Sequence, residues 1–71
     1  MKIGDFVKVK NNLEEEMNKI GFEKECIDSF VPNFVGTEQE IFNIWHDDDS
    51  NTDFATVDLG CEIPLQCLEL I

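Results

Sequence analysis

The segment Asp47–Asp58 has the side chains with the clearest capacity for chemistry. Its oxygen-bearing residues at alternate positions, and at the twelfth position of the segment, are Asp47, Asp49, Asn51, Asp53 and Asp58. A calcium loop uses this spacing, but it also needs a glycine at its sixth position and a bidentate glutamate at its twelfth. Thr52 and Asp58 stand there instead. We therefore interpret the segment as a solvated acidic turn and predict no specific metal site; loose binding of a divalent cation at the turn is the less favoured alternative.

Thiol and imidazole chemistry is the next possibility. The chain has one histidine, His46, and three cysteines, Cys26, Cys61 and Cys67. Structural zinc ligands usually come as close cysteine pairs, and none is present. A catalytic Cys–His pair would lack an orienting third group, and nearby carboxylates disfavour a thiolate. We expect reduced thiols packed as small hydrophobic side chains, a His46 whose charged form is favoured by its acidic neighbours, no enzymatic activity and no cofactor.

The charge distribution restricts the class of partner. All five cations are lysines within the first 24 residues, whereas residues 25–71 carry eleven acidic side chains and the net charge is −11. Binding to nucleic acid or to an anionic membrane requires Lys and Arg, so we expect neither as a direct partner. The expected partner is a basic protein surface, such as that of a nucleic-acid-binding protein.

Length and composition predict one small domain, residues 1–71. The chain is 42% hydrophobic and contains six Phe and one Trp, which is too apolar for a disordered chain. The sequence shows no apolar run of the kind found in secretory signals or membrane spans, so we expect a cytoplasmic protein, either a monomer or a small homo-oligomer.

The first half of the chain is expected to contain a strand and a helical insertion at residues 11–33. In Ile3–Lys10, apolar and charged side chains alternate, which predicts a half-buried strand. A short helix should follow, with Asn12 as N-cap, Glu15 as its capping-box partner and Gly21 after its last turn. Because of Pro32, residues 22–32 are interpreted as a helical turn and loop.

The second half is expected to be β-rich. Thr37–His46 and Phe54–Leu59 should pair as a hairpin around the acidic turn, with Ala55, Val57 and Leu59 on one face of the second strand. The remaining predicted elements are a turn at Gly60, a short strand ending at Ile63–Pro64, a 3₁₀ turn at Leu65–Cys67 and an edge strand at Leu68–Ile71.

This order of elements resembles the small SH3-like barrels of bacterial and phage proteins. The parts that match in position are the opening Ile3–Val9, the entry to the second strand Val35–Ile41, the polar hairpin, and the ending from Ile63–Pro64 through Leu68–Ile71. The resemblance implies a mainly β (α+β) fold, a five-stranded SH3-like barrel with a short helical insertion at residues 11–33. Barrels of this class that bind RNA present basic loops, whereas the loops here are acidic, so RNA binding is not carried over.

Two functional classes remain open. In the first, the protein is an acidic interaction module, and in its sharper form a phage-type inhibitor that mimics nucleic acid. The side chains expected to bind the partner are Glu38, Glu40, Asp47, Asp48, Asp49, Asp53 and Asp58. Same-face residues of a strand lie about 6.5–7 Å apart, near the spacing of phosphates. The competing interpretation is charge that serves solubility alone.

In the second class, an accessory module binds through the apolar side chains of the insertion. These side chains are Phe22, Phe30, Val31 and Phe34. They form either a satellite cluster against the core or an exposed contact patch. Trp45 is expected in the core, because a lone tryptophan in an apolar strand contributes a large buried area; a surface position in a partner-binding groove is the alternative.

Overall fold

The structure is a computed structural model that describes residues 1–71, apart from the side chain of Leu59. Its helices and strands are β1 Phe6–Val9, α1 Leu13–Ile20, α2 Lys24–Phe34, β2 Glu38–Glu40, β3 Asn43–Asp47, β4 Thr52–Thr56, β5 Glu62–Pro64 and β6 Leu68–Leu70. Short 3₁₀ turns lie at Asp58–Gly60 and Leu65–Cys67. The predicted mixture of helices and strands is confirmed.

In the described chain, the strands form two three-stranded antiparallel sheets with the orders β2-β1-β6 and β3-β4-β5, which are not closed into a barrel. The predicted strand Thr37–His46 is divided between them. Ile41 N–H still bonds to the carbonyl of Asp5 beside β1, but the next N–H, that of Phe42, bonds to the carbonyl of Thr56 on β4. The backbone therefore changes partner between these two residues, and β2 and β3 belong to different sheets.

β1 is the central strand of the first sheet and has the predicted alternation. Val7 and Val9 are buried, whereas Phe6 and Lys8 are exposed. Val9 lies opposite Leu68 of the edge strand β6, which is also buried. One face of this sheet therefore contributes to the core while the other faces solvent.

α1 has the predicted span, and its end is set by Gly21. This residue has φ +108°, and its N–H bonds to the carbonyl of Met17. The predicted capping box is wrong, because the Asn12 side chain makes no cap hydrogen bond. Its Nδ2 instead donates to the carbonyl of Gln66 at 3.2 Å. The start of α1 is thus tied to the 3₁₀ turn before β6.

α2 corrects the prediction of a turn and loop at residues 22–32. It is a helix of 11 residues with Pro32 inside it. Proline removes the N–H that would bond to the carbonyl of Asp28, but both residues are exposed, so water can satisfy that carbonyl. The opposite side of the helix packs inward through Ile27, which is buried.

The core lies where the two sheets and the two helices meet. Its buried side chains are Val7, Val9, Leu13, Met17, Ile27, Ile41, Ala55, Val57, Ile63, Cys67 and Leu68. The β3-β4 hairpin, the turn at Gly60, the 3₁₀ turn Leu65–Cys67 and the final edge strand are confirmed. The predicted inward face of Leu59 lies outside the described side chains. Among the described residues, no helix has the length and apolar character needed to span a bilayer.

Candidate functional site

The acidic turn at residues 48–51 connects β3 to β4 and is held by its own side chains. Ser50 donates to Oδ2 of Asp47 twice, from its hydroxyl at 2.6 Å and from its backbone N–H at 3.2 Å. Asn51 takes the left-handed conformation, φ +52°, that asparagine tolerates better than most residues. The hydrogen bond from the Ser50 hydroxyl is the main reason that the pKa of Asp47 is lowered. Asp47 therefore has a structural role in the turn.

His46 forms a charged cluster with two carboxylates of the hairpin. Its Nδ1–H donates to Oδ1 of Asp53 at 2.7 Å, and its Nε2 lies 3.6 Å from Oδ1 of Asp48. The hydrogen bond to Asp53 is the largest cause of a raised His46 pKa, and the negative charges of Asp53 and Asp48 act in the same direction. The prediction that the charged imidazole is favoured is confirmed.

The strand register separates carboxylates that the calcium-like spacing would bring together. Asp47 lies opposite Thr52, and His46 lies opposite Asp53. Since successive side chains of a strand point to opposite faces, Asp47 and Asp53 are on different sides of the hairpin. No three His, Cys, Asp or Glu side chains among those described converge as a metal site would require.

The seven predicted partner-binding carboxylates do not share one face. Glu38 and Glu40 are on β2, opposite Lys8 and Phe6 in the other sheet, and Asp58 is in the 3₁₀ turn after β4. The spacing of about 6.5–7 Å along a strand applies to Glu38 and Glu40 alone. The hairpin carboxylates lie in and beside the turn, with Asp47 and Asp53 on opposite faces, and the β2 carboxylates lie on the other sheet.

The aromatic side chains of the insertion divide into inner and outer members. Phe30 and Phe34 stack with ring centroids 4.4 Å apart, and together with Val31 they pack against the core. This places the three in the satellite cluster. Phe22, in the loop between α1 and α2, keeps 41% of its surface exposed. Phe22 is therefore the most exposed of the four apolar side chains predicted to bind a partner.

Three depressions meet at Phe22. The first, the aromatic groove, has a volume of about 500 Å³ and is lined by Met17, Phe22, Phe30, Phe34, Glu62 and Pro64 among others. The second, the Trp45 depression, has about 430 Å³ and is lined by Ile20, Phe22, Trp45, Asp47, Phe54 and Glu62 among others. The third, the hairpin depression, has about 300 Å³ and is lined by Ile20, Gly21, Phe22, Asp47, Asp49 and Ser50. No described lysine lines any of the three.

Trp45 is half-buried, which is intermediate between the two alternatives that the sequence left open. Its ring stacks on Phe54 at a centroid distance of 5.0 Å and an interplanar angle of 17°, and its buried indole N–H has no acceptor among the described residues. Phe54 itself is only 3% exposed. Trp45 thus covers Phe54 and forms part of the wall of the Trp45 depression.

Sequence reasoning missed Glu62 and the surface role of Trp45. Glu62 is opposite Thr56 in the β4-β5 ladder, and this pairing places it on the side where the helices lie. The only sequence signal was its position just before Ile63–Pro64, where a short strand was predicted to end. That signal contains no information about what faces the side chain from the helical insertion.

The cysteines only partly follow the prediction of buried thiols. Cys67 is fully buried, and burial raises its pKa to about 12. Cys26 is exposed and lines the aromatic groove, so the prediction is wrong for this residue. Cys61 is intermediate and packs against the core.

Most carboxylates have no cation beside them. Of the sixteen acidic side chains, Glu15 and Glu16 lie near Lys19, and Asp48 and Asp53 lie near His46. The other twelve form no ion pair with any described side chain. The surface of the protein is therefore available to cations over most of its acidic residues.

No protein-family model, curated protein or solved structure matches this chain. The side chains around Phe22 and the acidic turn therefore define the candidate functional site.

Proposed function

We propose that the protein is an acidic interaction module that docks on a basic surface of another protein. The observation that carries this proposal is that Phe22 lines one depression with Asp47 and Asp49 and another with Asp47 and Glu62. An exposed aromatic side chain surrounded by carboxylates suits a surface that carries both apolar and cationic groups. We call the area formed by Phe22, Asp47, Asp49 and Glu62 the Phe22 surface.

The charge of the whole chain supports the same class of partner. A net charge of −11 repels nucleic acid and anionic membranes and steers basic proteins toward the molecule. The narrower idea of a nucleic-acid mimic needs a regular row of carboxylates. The division of the acidic side chains between two sheets supports docking at the hairpin more than mimicry along a strand.

We also infer that the fold is a variant of the SH3-like class. Support comes from the antiparallel pairing of β1 with both β2 and β6, and from the 3₁₀ turn that precedes β6. The abrupt change of partner between Ile41 and Phe42 is a further point of similarity, because a bent strand shared by two sheets is how such small barrels turn a corner. α1 and α2 together constitute the insertion between β1 and β2.

The proposed function is tested by affinity capture of basic proteins at low and high salt with charge-matched variants. The double variant Asp48→Asn/Asp49→Asn removes two charges from the turn but leaves the Asp47–Ser50 hydrogen bonds in place. The control, Glu14→Gln/Glu69→Gln, removes two exposed charges on α1 and β6 that make no ion pair with a described cation. Circular dichroism of each variant verifies that folding is unchanged.

We expect the turn variant to lose most of the capture that the control variant keeps. We also expect capture by the unmodified chain to fall roughly tenfold at about 1 M salt, where the Debye length is about 3 Å. Equal capture by both variants would contradict docking at the turn.

The second candidate function is that of an accessory module that binds through the aromatic groove alone. It is favoured by the largely apolar lining of that groove, which includes Phe30 and Phe34. Such binding would survive high salt and the loss of Asp48 and Asp49, and it would be lost on substitution of Phe22 by serine. The same capture experiment therefore separates the two candidates.

A further inference from the structure

We propose that the Trp45 depression is a subsite for the guanidinium group of an arginine in a protein partner, with the adjoining aromatic groove receiving an apolar side chain of the same segment. This inference rests on the proposed docking function and specifies the chemistry of the partner at that surface.

The aromatic wall of the depression supplies the first contact that a guanidinium requires. Trp45 is stacked nearly parallel on Phe54, and this contact holds the Trp45 ring in place. Phe22 lines the same depression. Aromatic faces attract cations, and tryptophan does so most strongly. Arginine is the cation best suited to this wall, because its planar group stacks flat on aromatic rings and is more weakly hydrated than an ammonium.

Two carboxylates supply the second contact. Asp47 and Glu62 both line the depression, and neither forms an ion pair with a described lysine. Asp47 is fixed by its hydrogen bonds from Ser50, while Glu62 is exposed on β5. A guanidinium has several N–H donors in one plane, so it can stack on a ring and still donate to carboxylates at its edge.

The aromatic groove supplies a contact beside the cation. It shares Phe22 and Glu62 with the Trp45 depression, so the two are neighbours on one surface. Its volume of about 500 Å³ is within the range of ligand-binding clefts, and most of its lining is apolar. An arginine with a leucine or a phenylalanine close to it in sequence would use both.

Charge argues against a second copy of this chain as the occupant. A second copy carries the same net charge of −11 and has no arginine. Bringing the Phe22 surface against another acidic surface would place carboxylates opposite carboxylates, which is costly at an interface. The complementary occupant is a basic segment of a different protein.

The test uses Trp45 as its own reporter, since it is the only tryptophan in a chain without tyrosine. The probes are short capped peptides that contain one arginine and one leucine separated by glycine spacers of different length. The matched peptides replace arginine by citrulline, which has the same shape and no charge, and free arginine is a further probe. Titrations at about 0.15 M salt keep long-range attraction screened.

The expected result is a saturable change in Trp45 fluorescence with at least one arginine peptide, and affinity roughly tenfold lower for its citrulline counterpart. Glu62→Gln should weaken arginine-peptide binding several-fold. Glu69→Gln, which removes an equal charge on β6, should leave it unchanged, because Glu69 is on the other sheet. Both positions are exposed, so neither variant should alter folding.

Equal affinity for arginine and citrulline peptides, or equal weakening by Glu62→Gln and Glu69→Gln, would overturn the subsite. If the turn variant Asp48→Asn/Asp49→Asn still lost capture of basic proteins, the docking function would stand without the subsite. If the peptides showed no preference for arginine and the turn variant also kept its capture of basic proteins, both proposals would be overturned. Free arginine binding as tightly as the best peptide would also overturn the inference, because the site would then be selective for a small cation rather than a protein segment.

Discussion

Phe22, in the loop after α1, and Asp47, at the end of β3, line the same two depressions. The sequence presents them as parts of two alternative sites, an apolar insertion and an acidic hairpin. Their meeting at one place means that an exposed aromatic side chain and a carboxylate are available to the same partner. This combination is the basis of the proposed docking function.

The His46–Asp53 pair predicts a pH dependence with a definite sign. Because the folded protein raises the pKa of His46, mainly through the hydrogen bond to Asp53, protonation stabilises the hairpin. This stabilisation is fully present below the unfolded value of about 6.5 and is lost as the pH rises through the folded value. An NMR titration of the His46 ring should show a pKa above 6.5, and Asp53→Asn should lower it. A ring that titrates at or below 6.5 in the unmodified protein would contradict the pairing.

The three thiols should react in a fixed order. Cys26 is exposed, Cys61 is intermediate and Cys67 is buried with a pKa of about 12. Since the thiolate is the reactive species, a maleimide at neutral pH should modify Cys26 first and Cys67 only when the protein unfolds. Mass spectrometry of the labelled peptides at successive times measures the order. Labelling of Cys67 in the folded protein at the rate of Cys26 would show that the core around it is open.

Substitution of Pro32 tests the account of α2. The proline lies inside the helix and is exposed, so Pro32→Ala restores a backbone N–H without removing a buried contact. We expect the free energy of unfolding to rise by about 1–3 kcal/mol, as measured by urea denaturation. Pro64→Ala is a suitable comparison, because Pro64 is buried beside the aromatic groove and its loss should destabilise. A Pro32→Ala variant that is no more stable than the parent would mean that Pro32 does not destabilise α2.

The sequence predicted the elements whose signals are local. The alternation around Val7 and Val9, the acidic break after β3 and the short elements of the last ten residues all appear as expected. α2 was missed because proline is a strong local signal against a helix, whereas burial of Ile27 against the core is a tertiary effect. The division between β2 and β3 depends on which strand accepts each N–H, and no residue type encodes that choice.

Substitutions of Gly21 should destabilise the protein through backbone strain and not through a steric clash. Its φ of +108° disfavours residues with a side chain, yet a Cβ at this position would meet none of the described atoms within 4 Å. Gly21→Ala should therefore cost about 1 kcal/mol in the free energy of unfolding, and Gly21→Asn should cost less, because asparagine adopts left-handed backbone conformations more readily. Thermal or urea unfolding of both variants measures the difference. Equal stability of Gly21→Ala and the parent would show that α1 does not need this left-handed end.

The candidate site was only half predictable for a related reason. The acidic turn could be selected from its consecutive aspartates, and Phe22 could be selected from the number of apolar side chains in the insertion. Their proximity could not, since it depends on how α1 and its following loop lie against β3. Glu62 and Trp45 join the same surface through the strand register, which fixes their side of the sheet only after the hairpin is aligned.

The most direct test of the Phe22 surface is a double-mutant cycle with Phe22→Ala and Asp49→Asn. The affinity for a basic partner peptide is measured for the parent, both single variants and the double variant, with Phe22→Ala combined with Glu69→Gln as the control cycle. If Phe22 and Asp49 contact the same partner group, their effects should be non-additive by about 0.5 kcal/mol or more, whereas the control cycle should be additive. Additive effects in both cycles would contradict a single docking surface at Phe22.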